Sequence, residues 1–263
     1  MSQTHSNPQL RLFVSAHKPI PWDIPQGYEI VQAGAALHPH FTKLTDDTGD
    51  NISDRNPSYC EISVLYWAWK NTTCPRVGLV QYRRYFFHHM WQTGRRSVLS
   101  KDEINALLDD HDILVGSPIT YHETVADTYA RVHHSKDMDL MRDYIAANEP
   151  DYLEAFDEAL RSRSTIYCNM IAARREALDT YMAWVMPLLD YAYSAIDTSD
   201  YDDYNKRLVG FIAERLLNVW LIRHRHEYRI AYRPYNMLTI GIWRTLRAQS
   251  FNLGLMAWRK LRG

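Results

Sequence analysis

With 263 residues, of which 46% are hydrophobic and 13% aromatic, the chain is long enough for one α/β domain with a well-filled core. Its 30 Lys and Arg against 31 Asp and Glu give a formal net charge of −1, which argues against broad nucleic-acid binding of the kind that needs a strongly basic surface. The 3 cysteines lack the close spacing of a zinc or redox site, so we expect buried structural thiols in a reducing compartment.

The two ends of the chain bear on its location. The start, MSQTHSNPQL, has neither the basic nor the apolar region of a signal peptide, and no run reaches the roughly 18 apolar residues of a membrane span. From Arg229 onward there are 7 Lys or Arg and no acid, so residues 237–263 read as a basic, amphipathic helical tail. We predict a cytoplasmic protein with one domain over residues 1–236.

Apolar runs at residues 11–17 and 28–34 predict the first two strands, the second stopped by Gly34. The stretch at residues 45–57 is dense in Asp, Asn, Gly and Ser. It predicts a long polar loop, of the kind that often carries function.

Residues 56–71 predict the first long helix. Asn56 or Ser58 can cap its start, Pro57 suits its first turn, and Ser58 with Glu61 fits a capping box. Its apolar residues recur at helical spacing and predict one buried face.

The rest of the body alternates strands and helices. A strand over 77–82 is followed by strands near 112–116 and 165–173 and by helices near 101–109, 123–147, 150–161, 174–194 and 203–224. This alternation favours an α/β fold with a central sheet flanked by helices on both faces. In such sheets ligands bind at the carboxyl ends of the strands.

The stretch RVGLVQYRRYFF, residues 76–87, runs from a buried strand straight into Arg83 and Arg84. Two positive charges at a strand end imply a negative partner, because an unpaired buried charge is costly. A phosphate or diphosphate would match the guanidinium fork, while an internal carboxylate from the Asp-rich loop is the structural alternative. Tyr82 and Tyr85 flank the pair and could bond to or stack on a bound nucleotide or sugar.

Five segments in one order carry a family resemblance: DDTGDNISDRNPSYCEISVLYWAWKN, GLVQYRRYF, HHSKDMD, YCNMIAARREALDTYMAWV and RLVGFIAERLLNVWL. Together they make the chain similar to bacterial polysaccharide galactofuranosyltransferases, a family long catalogued as a domain of unknown function in capsule and O-antigen gene clusters. The resemblance covers roughly residues 10–240.

The resemblance implies a GT-A-like single domain with a mixed central sheet. It also implies transfer of galactofuranose from UDP-galactofuranose to a glycan on a lipid carrier. Many enzymes of this fold hold a divalent metal with an Asp-x-Asp motif at a strand end, where this chain has YRRY at residues 82–85. Arginine cannot ligate a metal but can neutralise a diphosphate. We therefore expect no metal cofactor, although Asp46, Asp47 and Asp50 leave a cation site in the loop open.

Residues near the predicted ligand edge, or in the segments that carry the resemblance, are candidates for donor binding. They are His17, Gly34, Asp50, Asn51, Tyr59, Glu61, Lys70, Tyr82, Tyr85, Asn169, Glu214 and Arg215. Several have structural alternatives: Glu61 could complete the capping box instead of orienting an arginine, and Asn169 could bond to the backbone. Glu214 and Arg215 could form an internal ion pair.

An inverting transfer needs a group that takes the proton of the acceptor hydroxyl near neutral pH. In HHSKDMD, the residues His133, Asp137 and Asp139 gather on one side of a predicted helix. Together with Arg83 and Arg84 they form the predicted catalytic set. Solvent exposure without a catalytic role is the alternative for the two aspartates.

The expected partners are a UDP-sugar donor and a glycan or lipid-linked acceptor, with no nucleic acid. The tail places Trp243, Phe251 and Trp258 among positive charges, so it could contact the inner face of the cell membrane or pack on the body or on another subunit. Two other functions stay open, transfer from a UDP-linked pyranose and a non-catalytic scaffold role in polysaccharide assembly.

Overall fold

The fold is known from a computed structural model that describes residues 9–92 and 94–238. Within these residues the main sheet has 8 strands: β1 (Leu10–Ala16), β2 (Tyr28–Gln32), β3 (Arg76–Gln81), β4 (Arg84–Phe86), β5 (Ile113–Gly116), β8 (Ile171–Arg174), β9 (Ile230–Arg233) and β10 (Tyr235–Met237). A small separate sheet pairs β6 (Ile119–Thr120) with β7 (Ser164–Thr165).

The strand directions create one ligand edge. Along the sheet the order is β2-β1-β3-β8-β5-β9, and neighbours are parallel except where β8 runs antiparallel to β3 and β5. The carboxyl ends of β1, β2, β3, β5 and β9 therefore lie at one edge, where β8 begins. β4 and β10 form an antiparallel pair that extends from the end of β3.

Helices cover both faces of the sheet, as predicted. One face packs against α1 (Asn56–Tyr59), α2 (Ile62–Asn71), α4 (Val125–Val132), α5 (Ser135–Asn148), α6 (Leu153–Arg161), α7 (Arg175–Ala195) and α8 (Leu208–Arg223). The other packs against α3 (Lys101–Asp110). Side chains of β3 alternate between the two cores, Val77 and Leu79 facing one and Val80 the other. None of the described helices is both long and apolar enough to cross a membrane.

The predicted helix over 56–71 is two helices, and the predicted capping box is wrong. Cys60 adopts a positive φ of 53°, which breaks the helix between α1 and α2. Asn56 holds this break through a bond from its Nδ2 to the Cys60 carbonyl at 2.7 Å. The Glu61 carboxylate is thereby turned away from Ser58 and toward the end of β3.

The predicted strand over 165–173 is also interrupted. β7 ends at Thr165 and β8 begins at Ile171, and the positive φ values of Cys168 (81°) and Asn169 (47°) turn the chain between them. Apolar composition alone does not reveal such a turn. The helix predicted over 123–147 is likewise split, into α4 and α5, and the short strands β4, β6, β9 and β10 were not predicted.

Asp46 organises the long polar loop from inside. Its buried carboxylate accepts hydrogen bonds from the backbone N–H groups of Gly34 and Ala35, each at 3.0 Å, and from the hydroxyls of Ser53 and Ser63. Gly34 has a φ of 68°, and a Cβ there would lie 2.8 Å from Asn56 Oδ1. Gly34 thus serves the loop structure, and its role in donor binding stays a prediction.

The other loop aspartates point to different partners. Asp47 bonds to His40 at 2.9 Å, and Asp50 accepts a bond from the Tyr66 hydroxyl at 2.9 Å. Within residues 9–92 and 94–238, no three His, Cys, Asp or Glu side chains are grouped as a metal site. The three loop aspartates therefore do not converge on one cation.

Replacing Asp46 with asparagine should cost about 3 kcal/mol or more of folding free energy, because an amide NH₂ would face donors that the carboxylate now satisfies. Urea unfolding measures this loss. The matched control is Asp54→Asn, an exposed position of the same loop, where the change should stay within about 0.5 kcal/mol. Equal stability of the two variants would contradict the role of Asp46.

Candidate functional site

Glu61 lies where three elements meet at the ligand edge. Its Oε1 accepts hydrogen bonds from Gln81 Nε2 at 2.9 Å and from Asn169 Nδ2 at 3.1 Å. Gln81 ends β3, and its Nε2 also donates to the Cys168 carbonyl at 3.0 Å. Glu61 therefore ties the start of α2 to β3 and to the turn that precedes β8.

Glu214 brings a second carboxylate to this turn from α8. Its Oε1 accepts the backbone N–H of Cys168 at 2.8 Å, and its Oε2 accepts from Arg215 Nη1 at 2.9 Å. The buried Arg215 guanidinium lies over the rings of Tyr129 and Tyr167, at 4.9 Å and 5.3 Å from their centroids. Arg215 is thus a partner of Glu214, as the structural alternative proposed.

The two carboxylates have different surroundings. Burial, followed by the negative charge of Glu214, raises the pKa of Glu61. Glu214 instead has a guanidinium and an N–H donor on its oxygens. Asn169 is buried, and its Oδ1 has no hydrogen-bond partner among the described residues. Carboxylates in unlike environments are a common basis of acid–base chemistry.

Arg83 and Arg84 have no carboxylate partner within residues 9–92 and 94–238. Arg84 Nη1 donates to Gln81 Oε1 at 2.8 Å, and Gln81 in turn donates to Glu61. Arg83 is exposed, with its guanidinium 4.8 Å from the centroid of the Tyr82 ring. Among the described residues, neither arginine thus contacts an internal carboxylate directly, which contradicts that structural alternative. Most of the hydrogen-bond donors of both guanidinium groups are available.

Arg207 joins this site although it was not among the predicted residues. Its Nε donates to Cys60 Sγ at 3.3 Å. Burial alone would lower the pKa of Arg207, but attraction to Cys60 and Glu61 raises it overall. The sequence held one signal, because Arg207 lies seven residues before Glu214, two turns earlier on the same face of the helical segment.

Positive groups also surround the end of β1. Burial lowers the pKa of His17, and the charges of Lys18, Arg83 and Arg207 lower it further. The His17 ring contacts Tyr82 edge to face, with centroids 5.1 Å apart. His17 and Tyr82 thus lie in one electropositive rim with Lys18, Arg83 and Arg207.

Three predicted donor-binding residues lie elsewhere. Asp50 and Lys70 sit near the carboxyl end of α2, where Asn71 Oδ1 accepts the Asp50 N–H at 3.0 Å. Glu61 is at the other end, about 14 Å away along the helix axis at 1.5 Å per residue. Asn51 bonds within its own loop, to Gly49 and Ser53.

Two predicted tyrosines are structural. The Tyr59 hydroxyl donates to Asp190 of α7 at 2.6 Å, and the Tyr59 side chain is fully buried. Tyr85 is buried against Tyr28, and its hydroxyl donates to the Tyr82 carbonyl at 3.3 Å. Neither side chain is open to a ligand.

The structure places the three predicted bases in different surroundings. Asp137 is buried between the hydroxyls of Tyr201 and Tyr129, at 2.6 Å and 3.3 Å, and burial raises its pKa. Asp137 is thus a structural acceptor, contrary to its predicted catalytic role. Asp139 is exposed on α5. His133 packs on Phe211 of α8, with ring centroids 4.2 Å apart.

Residues 11–226 match the family model described as Domain of unknown function (DUF4422). The chain belongs to this family. The matched range contains Glu61, Arg83, Arg84, Arg207 and Glu214, so the site lies inside the DUF4422 domain. No match was found among curated proteins.

The DUF4422 domain is similar to a solved structure described as the apo form of WbbM, a bifunctional glycosyltransferase. The TM-score is 0.80 at 25% sequence identity, and the match covers 88% of this chain and 45% of that one. This chain thus matches less than half of the length of that protein. The predicted mixed α/β glycosyltransferase fold is confirmed. The predicted tail lies outside the described residues, apart from Met237 and Leu238.

Proposed function

We propose that the protein is an inverting, metal-independent glycosyltransferase. It moves galactofuranose from UDP-galactofuranose to a lipid-linked or oligosaccharide acceptor in the synthesis of capsule, O-antigen or another surface polysaccharide. One observation carries this proposal. At the ligand edge of a glycosyltransferase fold, Arg84 is linked through Gln81 to Glu61, and Glu61 lies within the electrostatic influence of Glu214. The choice of galactofuranose rests on the resemblance of the five sequence segments.

On the donor side, Arg84, Arg207 and Arg83 bind the diphosphate. Guanidinium groups form paired hydrogen bonds to phosphate oxygens and stay charged at every relevant pH. The charge that develops on the departing UDP is neutralised by these fixed groups, as a metal does in many enzymes of this fold. Tyr82 and His17 border the same rim and would contact the nucleotide.

On the acceptor side, Glu214 is the general base. The acceptor oxygen attacks the anomeric carbon, the bond from that carbon to the diphosphate breaks, and the hydroxyl proton passes to Glu214. Glu61 is a positioning residue that holds Gln81, and through it Arg84.

A panel of nucleotide sugars tests the function directly. We expect release of UDP from UDP-galactofuranose, slow without an acceptor and faster with one, and an undiminished rate in excess EDTA. Preference for a UDP-linked pyranose would retain the transferase and change its donor. Dependence on added Mn²⁺ or Mg²⁺ would contradict the metal-independent mechanism, and no release from any donor would favour a scaffold role.

We further propose that the basic tail holds the protein at the inner face of the cell membrane, near a lipid-linked acceptor. The described chain ends beside the site, because the Leu238 N–H donates to the Arg83 carbonyl at 2.8 Å. A chain ending at Leu238 keeps β10 intact. Full-length protein should float with anionic vesicles and the shortened chain should not, with less binding at high salt. Equal recovery of both would contradict membrane binding by the tail.

A further inference from the structure

A cleft of about 530 Å³ lies between α6, α8 and the β6–β7 pair, separate from the carboxylate site. Its volume is in the range of small-molecule sites. Apolar side chains of α8, Leu221 and Ile222, line it together with Ile166. Arg161 and Tyr232 are also part of its lining.

The cleft is adjacent to Glu214 along α8. Asn218 and Leu221, which line it, follow Glu214 at spacings of four and then three residues, so all three share one helix face. Asn218 is one turn away, about 6 Å along the helix axis. Residues 166–168 lie across part of this face, bonded to Asn218 and Glu214. An acceptor that extends from Glu214 into the cleft would pass beside that segment.

One chain segment borders both sites. Asn218 holds Ile166 through two hydrogen bonds of 2.9 Å: its Oδ1 accepts from the Ile166 N–H, and its Nδ2 donates to the Ile166 carbonyl. Two residues later, Glu214 accepts the N–H of Cys168. The same two turns of α8 thus fix the wall of the cleft and the turn beside the carboxylates.

The chemistry of the lining suits sugar rings. The Tyr232 side chain is 43% exposed, and its hydroxyl has no protein partner among the described residues. Arg161 donates through Nε to the Asp157 carbonyl, which leaves its Nη atoms for a ligand. Arg225 is paired with Glu158 at 2.7 Å, so the cleft is not strongly charged. An aromatic face, planar donors and an apolar floor fit a neutral oligosaccharide, which presents both hydroxyl groups and C–H faces.

We infer that the cleft binds the inner sugar units of the acceptor glycan while its terminal hydroxyl lies at Glu214. This inference rests on the proposed transferase function. It predicts that longer acceptors bind better, and that Tyr232 and Arg161 account for part of that gain.

The test is acceptor length. Octyl glycosides of galactose mono-, di-, tri- and tetrasaccharides are compared as acceptors for the wild-type protein, Tyr232→Ala and Arg161→Ala. For wild type, KM should fall as the acceptor lengthens. Each variant should raise KM for the longer acceptors by about fivefold, the effect of one lost hydrogen bond, without a change for the monosaccharide. Donor hydrolysis without acceptor should stay at the wild-type rate.

Two matched variants control for surface changes. Tyr193 is 45% exposed, a fraction similar to the 43% of Tyr232, and Arg131 is an exposed arginine on α4. Tyr193→Ala and Arg131→Ala should leave the length dependence intact. If wild type hydrolyses the donor but shows no gain with length, or the cleft variants keep that gain, the cleft proposal is wrong while the transferase stands. If wild type releases no UDP from any donor, both proposals fall.

Discussion

Replacing Arg84 with alanine should lower turnover of the nucleotide sugar by about 100-fold or more, as expected when a fixed positive group that faces a leaving diphosphate is removed. Arg84 is half-buried and bonded to Gln81, so its guanidinium is held in one place before the donor binds. Preorganised charge of this kind acts mainly on the transition state, so kcat should fall more than KM rises. UDP release at saturating donor measures the change.

The comparison variants separate charge from structure. Arg84→Lys keeps the charge without the planar fork and should recover only part of the rate. Arg95→Ala, at an exposed arginine that is paired with Asp23, should keep the wild-type rate. Thermal unfolding of Arg84→Ala should change little, because one neutral acceptor bond contributes only about 1 kcal/mol. Wild-type turnover in Arg84→Ala would remove Arg84 from the mechanism.

The strands that build the ligand edge were readable from the sequence because their signals are local. The apolar runs that form β1, β2, β3 and β5 each end at a polar or small residue, and Arg83 and Arg84 come two and three residues after the end of β3. The order of helix and strand in the sequence also implied the direction of α2. A helix that precedes a strand of the sheet ends at the edge where that strand begins, which places Lys70 away from the ligand edge.

The pairing of Glu61 with Glu214 was not readable from the sequence, because 153 positions separate them in the chain. They approach through the turn at Cys168 and Asn169, whose positive φ values occur within an apolar run that reads as a strand. Glu61 also fitted a local capping box, and a local pattern gave no reason to prefer a distant partner such as Gln81. Tertiary contacts therefore decided the role of this residue.

Glu214→Gln should lower glycosyl transfer by about 1000-fold, within the range measured for loss of a general base. Glutamine has nearly the same size but cannot accept a proton at neutral pH. Binding of UDP should be retained, because the proposed diphosphate ligands are Arg83, Arg84 and Arg207, which this substitution leaves in place. Calorimetric titration with UDP, beside the transfer assay, distinguishes loss of the base from loss of the fold. Wild-type transfer by Glu214→Gln would assign the base elsewhere, and His133→Gln is the next variant to test.

Glu61→Gln is the matched comparison, because it changes the other carboxylate in the same way. Its carbonyl can still accept from Gln81 and Asn169, so the loss of transfer should be smaller than in Glu214→Gln. Its stability should depend on pH with a defined sign. The pKa of Glu61 is raised on folding from its ordinary 4.5. The unfolded chain therefore ionises first as pH rises, and the wild type loses stability between 4.5 and the folded pKa.

Glutamine has no such ionisation, so Glu61→Gln should gain stability relative to wild type at pH 7 and lose that gain near pH 4. Each 1 kcal/mol released would raise Tm by about 2–4 °C for a chain of this size. Thermal unfolding of both proteins at the two pH values measures the difference. An equal gain at both pH values would show that packing, and not the ionisation of Glu61 beside Glu214, accounts for the change in stability.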